Sequence, residues 1–210
     1  MIRKMSKQSS KASKAKQSDE YKVNLAEVIA GLDKYEDMIE DVGLRTAVKY
    51  LYQVNNAYFY KVRGSDTHHN YRHGLIQHTY EIVDYVYQLV SKYGLEEEVQ
   101  MDELLTIAML YNIGRIIENK DELSEEEELE LSLSNSRLRG AEMFMKADEV
   151  LHLKTDNESI LRVKYGLLGY AGIDSDDEGM HQANTLESRL VQHAYKLTAY
   201  GNKLLMSSIG

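Results

Sequence analysis

The stretch His68-His69-Asn70-Tyr71-Arg72-His73-Gly74-Leu75-Ile76-Gln77-His78-Thr79 decides how the rest of the chain reads. From Leu75 onward, Ile76, Ile82, Val83, Val86, Leu89 and Val90 recur at spacings of three and four. That period puts them on one face of a helix. His78 lies inside the pattern, where an imidazole can point into the interior, and metal ligation is one use of such a ring. The plainer use is a buried histidine held by a hydrogen bond. Gly74 and the His-His-Asn-Tyr run ahead of it favour a functional origin.

Working outward, Met109-Leu110-Tyr111-Asn112-Ile113-Gly114-Arg115 closes an apolar segment. Further on stands Thr185-Leu186-Glu187-Ser188-Arg189-Leu190-Val191-Gln192-His193-Ala194-Tyr195-Lys196-Leu197-Thr198-Ala199. With the first stretch, these segments resemble HD-domain phosphohydrolases, whose entry motif is H-H-x-Y-x-G-G-L-L-x-H-T. The resemblance spans roughly Leu44 to Leu205, and the first motif is its most specific part. It implies a helical bundle and a metal site made by a helix histidine, a later His-Asp pair and a distal aspartate. In that family the metal activates water and stabilises charge developing on phosphorus.

The ligand positions are where this chain departs. The family's L-L-H-D-I-G-K segment is matched by Met109–Arg115, with Tyr111 and Asn112 in place of the His-Asp pair. In the third segment Tyr195 falls on the metal aspartate and Thr198 on a second aspartate. Leu138-Arg139-Gly140-Ala141 and Gly169-Tyr170-Ala171-Gly172 match the L-L-G-H and S-H-H-G motifs of exoribonuclease-type HD domains with every histidine gone. Neutral tyrosine is a poor ligand for a divalent ion, and asparagine offers no charge. His78 alone remains of the family's metal set, and one imidazole does not hold a divalent ion against water. No bound metal or other cofactor is therefore expected.

The resemblance thus implies a vestigial pocket at His69, His78, Tyr111, Asn112 and Tyr195, without a catalytic residue. The tyrosines at 111, 170 and 195 are expected to fill it with rings and hydroxyl hydrogen bonds. Arg72, Arg115 and Lys196 are candidates for phosphate contact at its mouth, since a guanidinium donates two parallel hydrogen bonds. His69, His73 and His78 could gather at the loop-to-helix entry. His73 stands where the family has glycine, and reads as a tolerated surface residue.

Other chemistry finds no support. The chain lacks cysteine, and none of its seven histidines forms a His-Glu-x-x-His pair, so the usual zinc ligand sets are missing. Ile173-Asp174-Ser175-Asp176-Asp177-Glu178-Gly179 matches a calcium loop only in part, and reads as a solvated loop. No phosphate-binding loop, dinucleotide fingerprint or nucleophile elbow occurs.

Composition bounds the architecture. A chain of 210 residues without proline, and with long three-to-four periodicity, is expected to be all-α. Residues 1–20 read as a flexible basic tail and 21–210 as one helical domain. Six of the 25 basic residues lie in residues 1–18, which hold no acids; the remainder carries 19 basic against 34 acidic groups, a net −15. A basic tail on an acidic body can reach for nucleic acid, whereas the acidic body argues against broad nucleic-acid binding by the folded part. No run of about eighteen apolar residues occurs, so no membrane span is expected. The absence of cysteine and of an apolar leader fits the cytoplasm.

The periodicity predicts helices over Val23–Leu32, Tyr35–Tyr60, the segment from the His68–Gly74 loop to Gly94, Met101–Ile117, Asn135–Lys146, Glu158–Leu168 and Ala183–Leu205. Within the second, Met38, Ile39, Val42, Ala47, Val48, Leu51 and Val54 are expected to face inward. Asp121–Glu130 reads as a solvated turn or short helix. The function expected from these residues is that of a catalytically inactive HD-like protein acting on a protein or nucleic-acid partner. The alternatives are a metal-dependent phosphohydrolase or nuclease with a remodelled site, and a nucleotide or nucleic-acid binder that does not cleave.

Overall fold

The computed structural model describes residues 21–65, 67–116, 124, 135–169 and 185–209. The basic tail, the acidic segments around 121–130 (except Ser124) and 174–178, His181, and Tyr170, Ala171 and Gly172 lie outside them. Among the described residues every regular element is a helix, apart from a single antiparallel bridge between Ser65 and His68. The chain runs through α1 (Leu25–Asp37), α2 (Val42–Val54), the short α3 (Asn56–Phe59), α4 (Gly74–Tyr93), α5 (Met101–Leu110), a 3-10 turn (Ile113–Arg115), α6 (Ser136–Leu151), α7 (Asn157–Leu168) and α8 (Leu186–Ile209). None of these helices is long and apolar enough to cross a membrane.

Helix α5 is the centre. Leu104, Leu105, Ile107, Ala108, Met109 and Leu110 are all buried. Past its first turn the helix is apolar except for the buried Thr106, so it must be covered on every side. It packs against α2, α4, α7 and α8. Helix α4 gives it Leu75, Ile76, Ile82, Val83, Val86 and Val90; Leu89, also read into that stripe, is only half-buried. Phe59, Phe144, Val163 and Val191 complete the core.

The long helix expected over Tyr35–Tyr60 is broken instead. Asp102, at the start of α5, accepts the backbone N–H groups of Glu40 (2.9 Å) and Asp41 (2.8 Å). Asp41 caps α2 by accepting from Leu44 N–H (2.7 Å), and Thr155 donates its hydroxyl to the same carboxylate (2.5 Å). The N–H groups that would have continued α1 thus find side-chain acceptors, which is how helix ends are normally satisfied. The break shifts the helical phase. Ile39, Ala47, Val48 and Leu51 stay buried, but Val42 and Val54 are exposed, contrary to the expected inward set.

The helix expected over Met101–Ile117 also stops early, at Leu110. Beyond Tyr111 and Asn112 the chain tightens into the 3-10 turn, on which the start of α6 lies directly. A side chain at Gly114 would collide with the Ser136 carbonyl oxygen and the Gly140 amide nitrogen. Arg139 is 1% exposed and donates from Nε to the Gly114 carbonyl (3.0 Å), tying α6 to this turn.

Two glycines give opposite expectations. Gly114→Ala forces backbone apart and should destabilise by about 1–3 kcal/mol, the usual cost of overpacking. Gly201, exposed in α8, has nothing within 4 Å of a Cβ, so Gly201→Ala should stabilise by up to about 1 kcal/mol through helix propensity. Urea unfolding of the two variants beside the parent measures both signs.

Candidate functional site

The loop before α4 is folded tightly on itself. Gly64 N–H donates to the His69 carbonyl (2.8 Å), and Tyr71 N–H donates to the same oxygen (2.8 Å). Leu75 N–H reaches back to the Val62 carbonyl (3.3 Å), and Arg63 donates from Nη1 to the Asn70 carbonyl (3.0 Å). His69 and His73 adopt left-handed backbone, with φ of 52° and 67°. A Cβ on Gly74 would collide with the His69 carbonyl oxygen, so only glycine fits there. From α8, Asn202 accepts His69 N–H (2.7 Å) and donates to the Tyr71 hydroxyl (3.1 Å).

This fold-back buries three imidazoles together. His69 and His78 are fully buried, and His68 is 8% exposed. The His69 and His78 rings stack with centroids 4.3 Å apart, and His68 meets His78 edge-on at 4.6 Å. The Nδ1 atoms of His68 and His69 are 3.1 Å apart. His69 Nε2 lies 2.8 Å from the Glu81 carboxylate, His68 Nε2 lies 3.3 Å from the Tyr195 hydroxyl, and His78 Nε2 lies 3.0 Å from Thr198 Oγ1. His78 Nδ1 is buried without a hydrogen-bond partner.

The tyrosines sit against this cluster. Tyr195 lies 5.0 Å from His78 and 5.4 Å from Tyr111, ring centre to ring centre. The Arg137 guanidinium covers the Tyr111 ring at 4.6 Å and approaches Tyr195 at 5.9 Å, a favourable placement of a cation over ring faces. Burial pushes the Tyr111 phenol up to about 12, against the pull of Arg137, so it is a neutral hydroxyl at ordinary pH. Asn112 is buried and donates to Thr79 Oγ1 (3.4 Å), one residue past His78.

The structure therefore gathers His69, His78, Tyr111, Asn112 and Tyr195 in one place. The remaining expectations divide. Arg115 is half-buried, and its charge acts on both His68 and His78. Arg72 and Lys196 are solvent-exposed. His73 is corrected: it is no tolerated surface residue. It is half-buried in left-handed backbone ahead of α4, with Nδ1 bonded to the Tyr60 carbonyl. The ring that joins His69 and His78 is His68, to which the sequence reading gave no role. The one ligand-type histidine counted from the family pattern thus has two others beside it.

Arg137, Glu81 and Asn202 were also missed. Glu81 shares the α4 surface with His78 three residues earlier, and Asn202 continues the Tyr195, Thr198 spacing along α8. That period was visible as a polar stripe; the partners it would meet were not. With this geometry in view, comparison with known proteins adds nothing further: the chain matches no protein-family model, no curated protein and no solved structure.

The electrostatics of the cluster can be measured. Burial, followed by the charges of His69 and Arg115, lowers His68 to about 4. Burial, followed by His69, His68 and Arg115, lowers His78 well below its ordinary value. In the unfolded chain both titrate near 6.5. As pH falls from about 6.5 toward 4, the unfolded chain takes up protons that the folded chain refuses, so stability falls with pH in that window. In chelator-treated protein, urea unfolding between pH 7.5 and 4.5 should show this loss. The slope in His78→Gln should be shallower by up to about 1.4 kcal/mol per pH unit. Parallel slopes would mean that His78 is open to protons when folded.

Proposed function

We propose that this is an HD-like protein that does not hydrolyse phosphoesters and acts by binding a partner. The observation that carries the reading is the pair of rings at Tyr111 and Tyr195, 5.4 Å apart beside His78. They stand at positions that the HD pattern assigns to metal ligands. A hydrolytic centre of that kind needs carboxylates that hold metal and water in the path of phosphorus. Here the hydroxyl of Tyr111 is neutral, Asn112 is engaged with Thr79, and the Glu81 carboxylate is on the outer nitrogen of His69. The family's own metal centre does not fit these residues.

Binding has support of its own. Leu197, Tyr200 and Leu204 follow one another at spacings of three and four on α8, and all three are half or more exposed. A contiguous apolar row on a surface helix is a common mark of a protein-binding face. A second reading, a nucleotide pocket kept without cleavage, is favoured by Arg115 and Arg137 at the cluster. A thermal-shift screen against nucleotides separates the two, because a ligand of the native state raises apparent stability.

The test of the main reading is hydrolysis of a broad phosphoester and oligonucleotide panel with magnesium, manganese, nickel or zinc added. No turnover is expected from the parent protein. A rate that disappeared in His78→Ala would overturn the reading. The triple substitution Tyr111→His, Asn112→Asp, Tyr195→Asp restores the pattern's ligands, and is the variant in which metal-dependent turnover should appear. Tyr195→Asp alone sets a carboxylate beside buried rings and should destabilise by about 1–3 kcal/mol, read by thermal unfolding.

A further inference from the structure

We propose that His68, His69 and His78 bind one divalent cation of the zinc class through a nitrogen of each ring, and that the ion serves to hold the fold rather than to hydrolyse. The proposal stands on the cluster geometry and is independent of the function proposed above. It is also not the metal centre of the HD pattern. Of that set only His78 takes part; His68 and His69 come from the loop, and no His-Asp pair or distal aspartate is involved.

The hydrogen bonds around the rings indicate which nitrogens are free to ligate. Thr198 donates its hydroxyl hydrogen to the Ala194 carbonyl (2.9 Å) and the Tyr195 carbonyl (3.2 Å). With that hydrogen on the carbonyls, the same oxygen accepts from His78 Nε2–H, the tautomer that leaves Nδ1 a bare lone pair. That lone pair is buried and meets no protein donor. His69 Nε2 faces a carboxylate, which only accepts when ionised, so its inner nitrogen Nδ1 is likewise left as the donor atom. This Nδ1 lies 3.1 Å from Nδ1 of His68.

A proton can satisfy part of this arrangement. If Tyr195 donates to His68 Nε2, then His68 Nδ1–H can donate to His69 Nδ1. The Nδ1 of His78 still has no partner. A cation gives all three rings a partner once the His69 and His78 rings, now stacked with 17° between their planes, turn so that each lone pair points at it. One ring nitrogen from each of the three residues lies within 4.8 Å of the others. Zinc–imidazole bonds of about 2.0–2.1 Å in a tetrahedral site place nitrogens about 3.3–3.4 Å apart, so the His68–His69 pair, at 3.1 Å, needs to open only slightly. Imidazole donors suit zinc, nickel, cobalt and copper better than magnesium or calcium. The carboxylate on the far nitrogen of His69 is the outer-shell partner that metal-bound histidines usually have. Such an ion would join the loop to α4, and through Thr198 and Tyr195 to α8.

The test uses untagged full-length protein stripped with chelator. Zinc titration by calorimetry is expected to show one site, with a raised melting temperature. Cobalt(II) is expected to give the visible absorption of a low-coordinate nitrogen site. His78→Gln should abolish uptake. Because that variant also removes a core imidazole, Glu81→Gln is the second: its side chain is partly exposed, the fold should survive, and zinc affinity should drop roughly 10–100-fold. His193→Ala, exposed on α8, should bind as the parent does. No uptake by the parent overturns the proposal, and so does equal uptake by a folded His78→Gln. Phosphoester turnover by the zinc-loaded protein would overturn the functional reading and the purely structural role of the ion, but not the binding site.

Discussion

The arrangement depends on one steric constraint, the absence of a side chain at Gly74. With a Cβ there the His69 carbonyl could not come close, and the loop from Val62 to Gly74 could not close over the start of α4. Closure lets one oxygen, on His69, accept from both Gly64 and Tyr71. It also presents His69 N–H to Asn202 across the bundle. A loop normally stays at the surface because its backbone groups need water. Its His68, His69 and Tyr71 are buried, while Thr67 and Arg72 stay exposed, because glycine permits the approach and α8 supplies the missing acceptor.

Burying the loop places polar rings in the interior. Each outer nitrogen finds an oxygen: Glu81 for His69, Tyr195 for His68, Thr198 for His78. The inner side is less well served, and His78 Nδ1 is the atom left over. A polar network in a core is favourable when every member is satisfied and costly when one is not. Tyr111 and Tyr195 work on the other flank, filling space with rings under Arg137. The same pocket therefore carries aromatic rings on its tyrosine side and nitrogen donors on its loop side.

The early end of α5 serves this arrangement. Leu110 ends the helix, so Tyr111 and Asn112 project from a turn toward α4 and α8. The turn is held by the close approach at Gly114 and by Arg139, whose charge is buried against the Gly114 carbonyl. The start of α2 is fixed in a comparable way, by Asp102 and Asp41 taking up backbone N–H groups.

Much was legible from the sequence alone. Three-to-four periodicity without proline determined the helical class, the buried face of α4 and the largely apolar α5, because burial of one face leaves a repeat that can be counted. The resemblance drawn from the sequence led to an expectation of Tyr111 and Tyr195 near His78, and the structure brings them together. The tertiary structure decided what periodicity cannot carry. It broke Tyr35–Tyr60 through a carboxylate sixty residues away, exposed Val42 and Val54, and ended α5 before the 3-10 turn. It also chose His68 over His73 as the third ring. Adjacent residues in a loop take their directions from φ and ψ, and left-handed turns at His69 and His73 send one imidazole inward and the other to the Tyr60 carbonyl. Helical spacing is written along the chain, whereas the direction of a loop side chain follows from contacts made across it.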